Sequence, residues 1–336
     1  MIHALRKTVA SRFSAEARQA RLIRSRDARR LATARRDLYW PAAMAGSQIV
    51  LLVICIIGYR STHLSVEWSL PAPVPLIVAL LVVWIVTYPK TQTDAALAAA
   101  LFLSSTLIVV ATQYPALALG RPLVDEALLK ADRAFGVDVP RMMMWMESHP
   151  RFSVVAFYSY QTFIPQQFIA IGALAWCSDR RGLWTFLGQQ HLCLIMAVAL
   201  CALLPASEPY AYLGLQSPHP QVRSVEQINT FNSGAARVVQ VRNPDGLVSF
   251  PSYHAGGAIF VIWALRRIRG IRYAVVAVNV LLMAAAVGHG VHYFVDMLAG
   301  GALAVALIAL TEWLADRTPK FGARGPATLA DRAAAV

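Results

Sequence analysis

Long apolar runs alternate with short polar or basic connections along most of the chain, and each run is near the roughly 20 residues a helix needs to cross a bilayer. The pattern predicts eight spans, at 40–59, 74–88, 94–113, 152–177, 183–204, 250–265, 273–291 and 296–314. Two connections, 114–151 and 205–249, are long enough to carry structure of their own. The fold class expected is all-α, a polytopic membrane helical bundle. Its parts are a basic tail over 1–39, two accessory spans within 40–92, a six-helix core over 93–316 and a second tail over 317–336.

Composition supports this division. Of 336 residues, 57% are hydrophobic and 15% charged, against about 25% charged in soluble domains. The net charge of +13 is unevenly placed, because 11 of the 31 Lys and Arg residues lie between Arg6 and Arg36. That distribution argues against nucleic acid as a partner and for anionic lipid at the tail. The tail either lies along the inner leaflet, with Arg18, Arg21, Arg24 and Arg29 near helical spacing, or forms a solvated arm. It lacks the apolar core of a cleavable signal peptide.

With both termini in the cytoplasm, the cytoplasmic segments hold 22 of the 31 basic residues, including Ser178-Asp179-Arg180-Arg181-Gly182 and Arg266-Arg267-Ile268-Arg269. This is the bias that orients membrane proteins. It places both long connections, and the starts of the sixth and eighth spans, on the extracytoplasmic side of a plasma (inner) membrane. Cys55, Cys177, Cys193 and Cys201 lack metal-ligand spacing and read as packing residues rather than a disulfide framework.

The chemistry concentrates at those two span starts. The first stretch is Leu247-Val-Ser-Phe-Pro-Ser-Tyr-His-Ala-Gly-Gly257. Pro251 suits a first helical turn because it has no amide hydrogen to leave unpaired. Ser252 and His254 are then expected in the same turn, where free amides and the helix dipole attract anions. A histidine there is placed to protonate a leaving oxygen. The second stretch is Gly288-His-Gly-Val-His-Tyr-Phe-Val-Asp296. His292 and Asp296 are four apart, so a continuous helix puts them on one face. A carboxylate holding one ring nitrogen leaves the other as a nucleophile.

Pro-Ser-x-His followed by His-Tyr-x-x-Asp resembles the phosphatidic acid phosphatase type 2 superfamily of lipid phosphatases and phosphotransferases. Within it the chain looks closest to the inositolphosphotransferase branch that includes inositol phosphorylceramide synthases. Gly120-Arg121-Pro122-Leu123-Val124-Asp125, then Asp132 and Gly136, and Arg242 ahead of the first histidine, also fit that branch. The resemblance covers about 93–314 and implies a phosphatase-like catalytic core. It implies that His292 attacks phosphorus to form a phosphohistidine, that Asp296 orients it, and that His254 serves as acid and then base. Arg121, Arg242 and the amides around Ser252 would hold the phosphate oxygens. The implied partners are a phospholipid donor and a lipid alcohol acceptor, with no cofactor and no metal.

Four positions depart from the phosphatase pattern. Tyr114 stands where it has a Lys, Ala285-Ala286 where it has Ser-Arg, and Tyr253 where it has Gly. The lost cations shift the expectation from hydrolysis toward transfer of an inositol phosphate-like head group. A lipid phosphate phosphatase using water, and a non-catalytic lipid-binding or transport protein, remain the alternatives.

Other residues carry weaker signals. Asp125 and Asp132, seven apart on one helix face, are expected to solvate that helix, or else to contact a polyol head group or acceptor. Tyr253 is a further head-group or acceptor candidate. His289 either lines the site or, as favoured, faces solvent. Met142–Met146 forms an apolar patch for the leaflet or the core, and Arg237 is a minor phosphate-binding candidate. Gln161, Gln166 and Gln167 are expected to bond to neighbouring helices.

Overall fold

The apolar runs fold as helices because a bilayer leaves no other partner for their backbone amides and carbonyls. The computed structural model describes residues 39–67, 90–215, 222–240 and 249–317. The tail to residue 38, the predicted span at 74–88, Arg242 and the C-terminal tail from residue 318 lie outside the described residues.

In chain order the helices are α1 (Tyr39–Ser61), α2 (Lys90–Leu117), α3 (Asp125–Ala134), α4 (Val139–Ser148), α5 (Pro150–Gln161) and α6 (Phe163–Trp176). They continue as α7 (Arg180–Leu203), α8 (Pro209–Tyr212), α9 (Val222–Asn232), α10 (Tyr253–Leu265), α11 (Arg272–Gly288) and α12 (Phe294–Arg317). Four of the described helices are long and apolar enough to cross a membrane: Trp40–Ser61, Asp94–Leu117, Arg180–Leu203 and Phe294–Ala315. Helices α6, α10 and α11 are apolar but shorter. Ile49, Val50 and Ile57 of α1 are at least 60% exposed, a surface that suits lipid rather than water. These features mark a membrane protein.

Two differences from the expected helical pattern stand out. The predicted span at 152–177 is two helices, α5 and α6, divided at Thr162. Pro165 sits in the first turn of α6, the one place a helix loses nothing to a missing amide hydrogen. The described residues also include strands β1 (Ser65–Glu67) and β2 (Val238–Gln240), paired in parallel. The pair ties the end of α1 to the connection before α10, and Arg237 Nη1 reinforces it by donating to the Thr62 carbonyl at 2.8 Å.

Helix α10 is the hub. It packs against α6, α7, α11 and α12, and Ala255, Ala258 and Phe260 are completely buried. Close approach relies on small residues, as is common between membrane helices. A Cβ on Gly300 of α12 would collide with the Ser252 carbonyl at the start of α10. Polar side chains add hydrogen bonds between helices. His191 of α7 bonds Ser47 of α1 at 2.6 Å and Ser105 of α2 at 2.9 Å. Asn279 of α11 donates to Gln166 at 2.6 Å and Gln190 of α7 to Gln167 at 2.5 Å, so those two glutamines bond to neighbouring helices as expected. Gln161, by contrast, is exposed.

The ion pairs show which ends lie together. Arg180 holds Asp94 at 2.7 Å and Arg181 holds Glu312 at 3.0 Å. The starts of α2 and α7 therefore share one end of the bundle with the end of α12. His254, at the start of α10, lies toward the other. Helix α10 has only 13 residues, about 20 Å at 1.5 Å per residue. That is short of the ~30 Å hydrocarbon thickness.

Candidate active site

The local sequence around each histidine explains its placement. Ser252 is the N-cap of α10, its hydroxyl accepting from the Ala255 amide at 3.3 Å. Pro251 thus precedes the cap rather than occupying the first turn. The Ser252 amide donates to the Asp296 carbonyl at 3.2 Å, which fastens the start of α10 to the first turn of α12. His254 then falls in the first turn of α10, half-buried.

Helix α11 ends in a left-handed glycine turn. The Gly290 amide donates to the Val287 carbonyl at 2.9 Å and the Val291 amide to the Ala286 carbonyl at 3.0 Å. This is the paired bonding of a Schellman cap. Gly290 has φ +70°, a conformation open to glycine at no steric cost. His292 therefore emerges from a connection, its amide also held by the Ala286 carbonyl at 3.0 Å. It is not on a continuous helix with Asp296, because α12 begins at Phe294. The two still meet, since Asp296 turns back over the helix start. Gly290→Ala meets both the φ penalty and the Met143 side chain, whose Sδ and Cε lie 2.6 Å from a new Cβ. We expect it to cost about 1–3 kcal/mol and to lower activity by displacing His292, checked by thermal unfolding and turnover in detergent micelles.

Three side chains converge as the sequence led us to expect. His254 Nδ1 lies 3.2 Å from His292 Nε2, and His292 Nδ1 lies 3.5 Å from Asp296 Oδ2. His292 is 3% exposed and Asp296 fully buried. Asp296 Oδ2 also accepts from the Tyr293 amide at 3.0 Å and the Ser249 hydroxyl at 3.1 Å. The Tyr293 bond is the acidic half of a capping box, in which a carboxylate three residues into the helix reaches back to its start.

Several members of the cluster carried no sequence signal. Tyr160 of α5 stacks on His254 with ring centroids 4.6 Å apart, its hydroxyl 3.3 Å from Nδ1. Phe163 of α6 closes another side at 4.5 Å. Ser249 is a third. Nothing in a lone tyrosine or serine, 94 or 47 residues from its partner, announces such contacts.

The carboxylates of α3 depart most from expectation. Asp125 and Asp132 do share a face, but that face is turned inward rather than solvated. Asp125 is 1% exposed and Asp132 fully buried. Asp125 Oδ1 accepts from the Ser207 hydroxyl at 2.7 Å and the Tyr293 hydroxyl at 2.9 Å, with the Ser207 amide at 3.0 Å. Asp132 accepts from the Phe294 and Val295 amides at 3.1 and 2.8 Å. These are the first amides of α12, donors that a helix cannot satisfy internally. Both carboxylates are thus committed to structure, and the α12 terminus is already filled by an acid. Burial pushes the Asp132 carboxyl above the usual range, opposed by its two amide bonds. Burial, then the adjacent Asp125, pushes the Tyr293 phenol up.

His289 is likewise corrected. It caps α11, is 3% exposed, and bonds Ser153 at 3.0 Å. Tyr253 turns away from the histidines and donates to Gln190 at 2.7 Å. Arg121 is exposed on the connection between α2 and α3 and makes no hydrogen bond or ion pair among the described residues. Of the methionine patch, Met143 and Met146 are buried against α11 while Met144 and Trp145 are exposed. Among the described residues, no group of three or more His, Cys, Asp or Glu side chains is arranged to hold a metal ion.

The site is therefore a His–His–Asp array, buried at His292 and Asp296 and half-buried at His254, at the meeting point of three apolar helices in a membrane protein. The chain belongs to the PAP2 superfamily, whose family model matches residues 126–310. That match runs from α3 into α12 and takes in all three side chains. Members are generally phosphatases or phosphotransferases, which points to an enzyme acting on lipid phosphates. No curated protein and no solved structure matches the chain.

Proposed function

We propose that the chain is a membrane lipid phosphotransferase, moving an inositol phosphate-like head group between lipid alcohols through a phosphohistidine. The observation carrying this reading is the chain of contacts His254 Nδ1–His292 Nε2 and His292 Nδ1–Asp296 Oδ2. With Asp296 holding the Nδ1 proton, the Nε2 lone pair attacks phosphorus and the donor P–O bond breaks. His254 gives its proton to the departing alkoxide. In the second half, His254 takes the proton of the acceptor alcohol as its oxygen displaces His292 from phosphorus. Arg121, Arg242 and the amides near Ser252 are assigned to the phosphate oxygens, where charge stabilisation matters most.

Transfer is favoured over hydrolysis by the surroundings. Tyr114, Ala285 and Ala286, which replace the polar and cationic residues of the phosphatase pattern, are buried in the apolar core. Tyr160 and Phe163 wall His254 with aromatic faces, which helps to exclude water. The branch assignment rests on Gly120–Asp125 and Arg242. We also assign about eight spans, six of them a catalytic core, with cytoplasmic termini and an extracytoplasmic site in a plasma membrane. The basic tail is assigned to anionic lipid.

The test supplies head-group-labelled phospholipid to the purified protein with and without a lipid alcohol. We expect label to move to the alcohol. Release of the phosphorylated head group into water with no transfer product establishes hydrolysis instead, and label that stays on the donor in both arms removes catalysis.

A further inference from the structure

A second feature lies at the other end of α10. A cavity of about 740 Å³ opens where the ends of α6, α10 and α12 meet the start of α7, within the usual range for small-molecule sites. Arg181, Arg266, Arg267 and Arg269 line it together with only two acids, Asp179 and Glu312. The acids are already engaged. Asp179 caps α7, accepting from the Gly182 amide at 2.8 Å. Glu312 accepts from Arg181 at 3.0 Å and from Trp263 Nε1 at 3.3 Å, with Arg266 4.0 Å away. Arg267 and Arg269 are exposed and make no hydrogen bond or ion pair among the described residues. Burial and the Arg267 charge pull the Arg266 guanidinium down, outweighing the opposing pull of Glu312 and Asp179, as expected where cations are crowded.

The walls are not polar throughout. Leu174, Phe186 and Ile268 supply apolar surface, and Arg266 lies over the Trp263 ring at 3.5 Å. A cationic mouth on an apolar wall, at the ends of membrane helices, matches an amphipathic anion better than a small soluble one. We propose that this cavity binds the head group of an anionic phospholipid from the leaflet on the side away from the histidines, with Arg267 and Arg269 contacting its phosphate. The site is separate from the His254–His292 array and does not depend on the transferase reading. A bound lipid here bridges the ends of α7, α10 and α12.

The test is native mass spectrometry of the full chain released from micelles containing phosphatidylglycerol or phosphatidylcholine. We expect retained phosphatidylglycerol in the wild type, and roughly thirtyfold weaker retention in the double variant Arg267→Gln, Arg269→Gln, with each basic residue contributing independently. Neither side chain supports the fold, so unchanged elution and melting temperature are expected, and the basic tail is present in both proteins. Equal retention of the two lipids overturns the proposal, as does retention unaltered by the double variant. Displacement of the lipid by millimolar inorganic phosphate reassigns the cavity to a soluble anion and also overturns it.

Discussion

His292→Ala is expected to lower turnover by about 10⁴-fold or more, the scale seen when a nucleophile that acts within a catalytic unit is removed. The loss should appear in a single turnover, because no N–P bond can form. Label from the donor, trapped on the wild-type protein as an acid-labile adduct, should be absent from the variant. Alanine also leaves a small cavity and removes a partner from Asp296, so the melting temperature is measured alongside. Lipid binding retained with turnover lost identifies a chemical role. Turnover within tenfold of wild type sinks the assignment, and His254 becomes the next candidate nucleophile.

Asp132→Ala is expected to destabilise the protein by about 2–4 kcal/mol, since a buried amide left without an acceptor costs about 1–3 kcal/mol. Its carboxylate serves two amides, Phe294 and Val295, and is fully buried. Asp132→Asn keeps one carbonyl acceptor and should lose roughly half as much. Activity should fall in both variants even where the protein remains folded, because Phe294 and Val295 lie between His292 and Asp296. Thermal unfolding in micelles checks the first effect and turnover below the transition checks the second. An unchanged melting temperature in Asp132→Ala would show that α12 finds its cap elsewhere.

The sequence conveyed the local parts of this picture well. Apolar composition over about 20 residues is enough to mark α1, α2, α7 and α12, since the bilayer requirement is local. The paired histidine stretches were legible because each is a short motif at a helix boundary, and the structure brings His254, His292 and Asp296 together. What periodicity missed depends on partners far away in the chain. Seven-residue spacing correctly put Asp125 and Asp132 on one face, but whether that face meets water or protein depends on Ser207, Tyr293 and the amides of α12. Likewise the four-residue spacing of His292 and Asp296 gave the right contact for an incomplete reason, because Gly290 ends α11 and a capping carboxylate, not a continuous helix, joins them. Arg242 and the span at 74–88 lie outside the described residues.

The bonds from Asp132 to Phe294 and Val295 span 162 and 163 residues. At a synthesis rate of about 5–20 residues per second, roughly 8–32 seconds pass between the making of the acid and of the amides it will hold. Throughout that interval the α3 carboxylate is without those two amides, and the array that includes Asp296 does not yet exist. The array is therefore completed only once α12 has been made, and a ribosome that stalls before Phe294 leaves a chain in which neither Asp132 nor His292 has met its partner on α12.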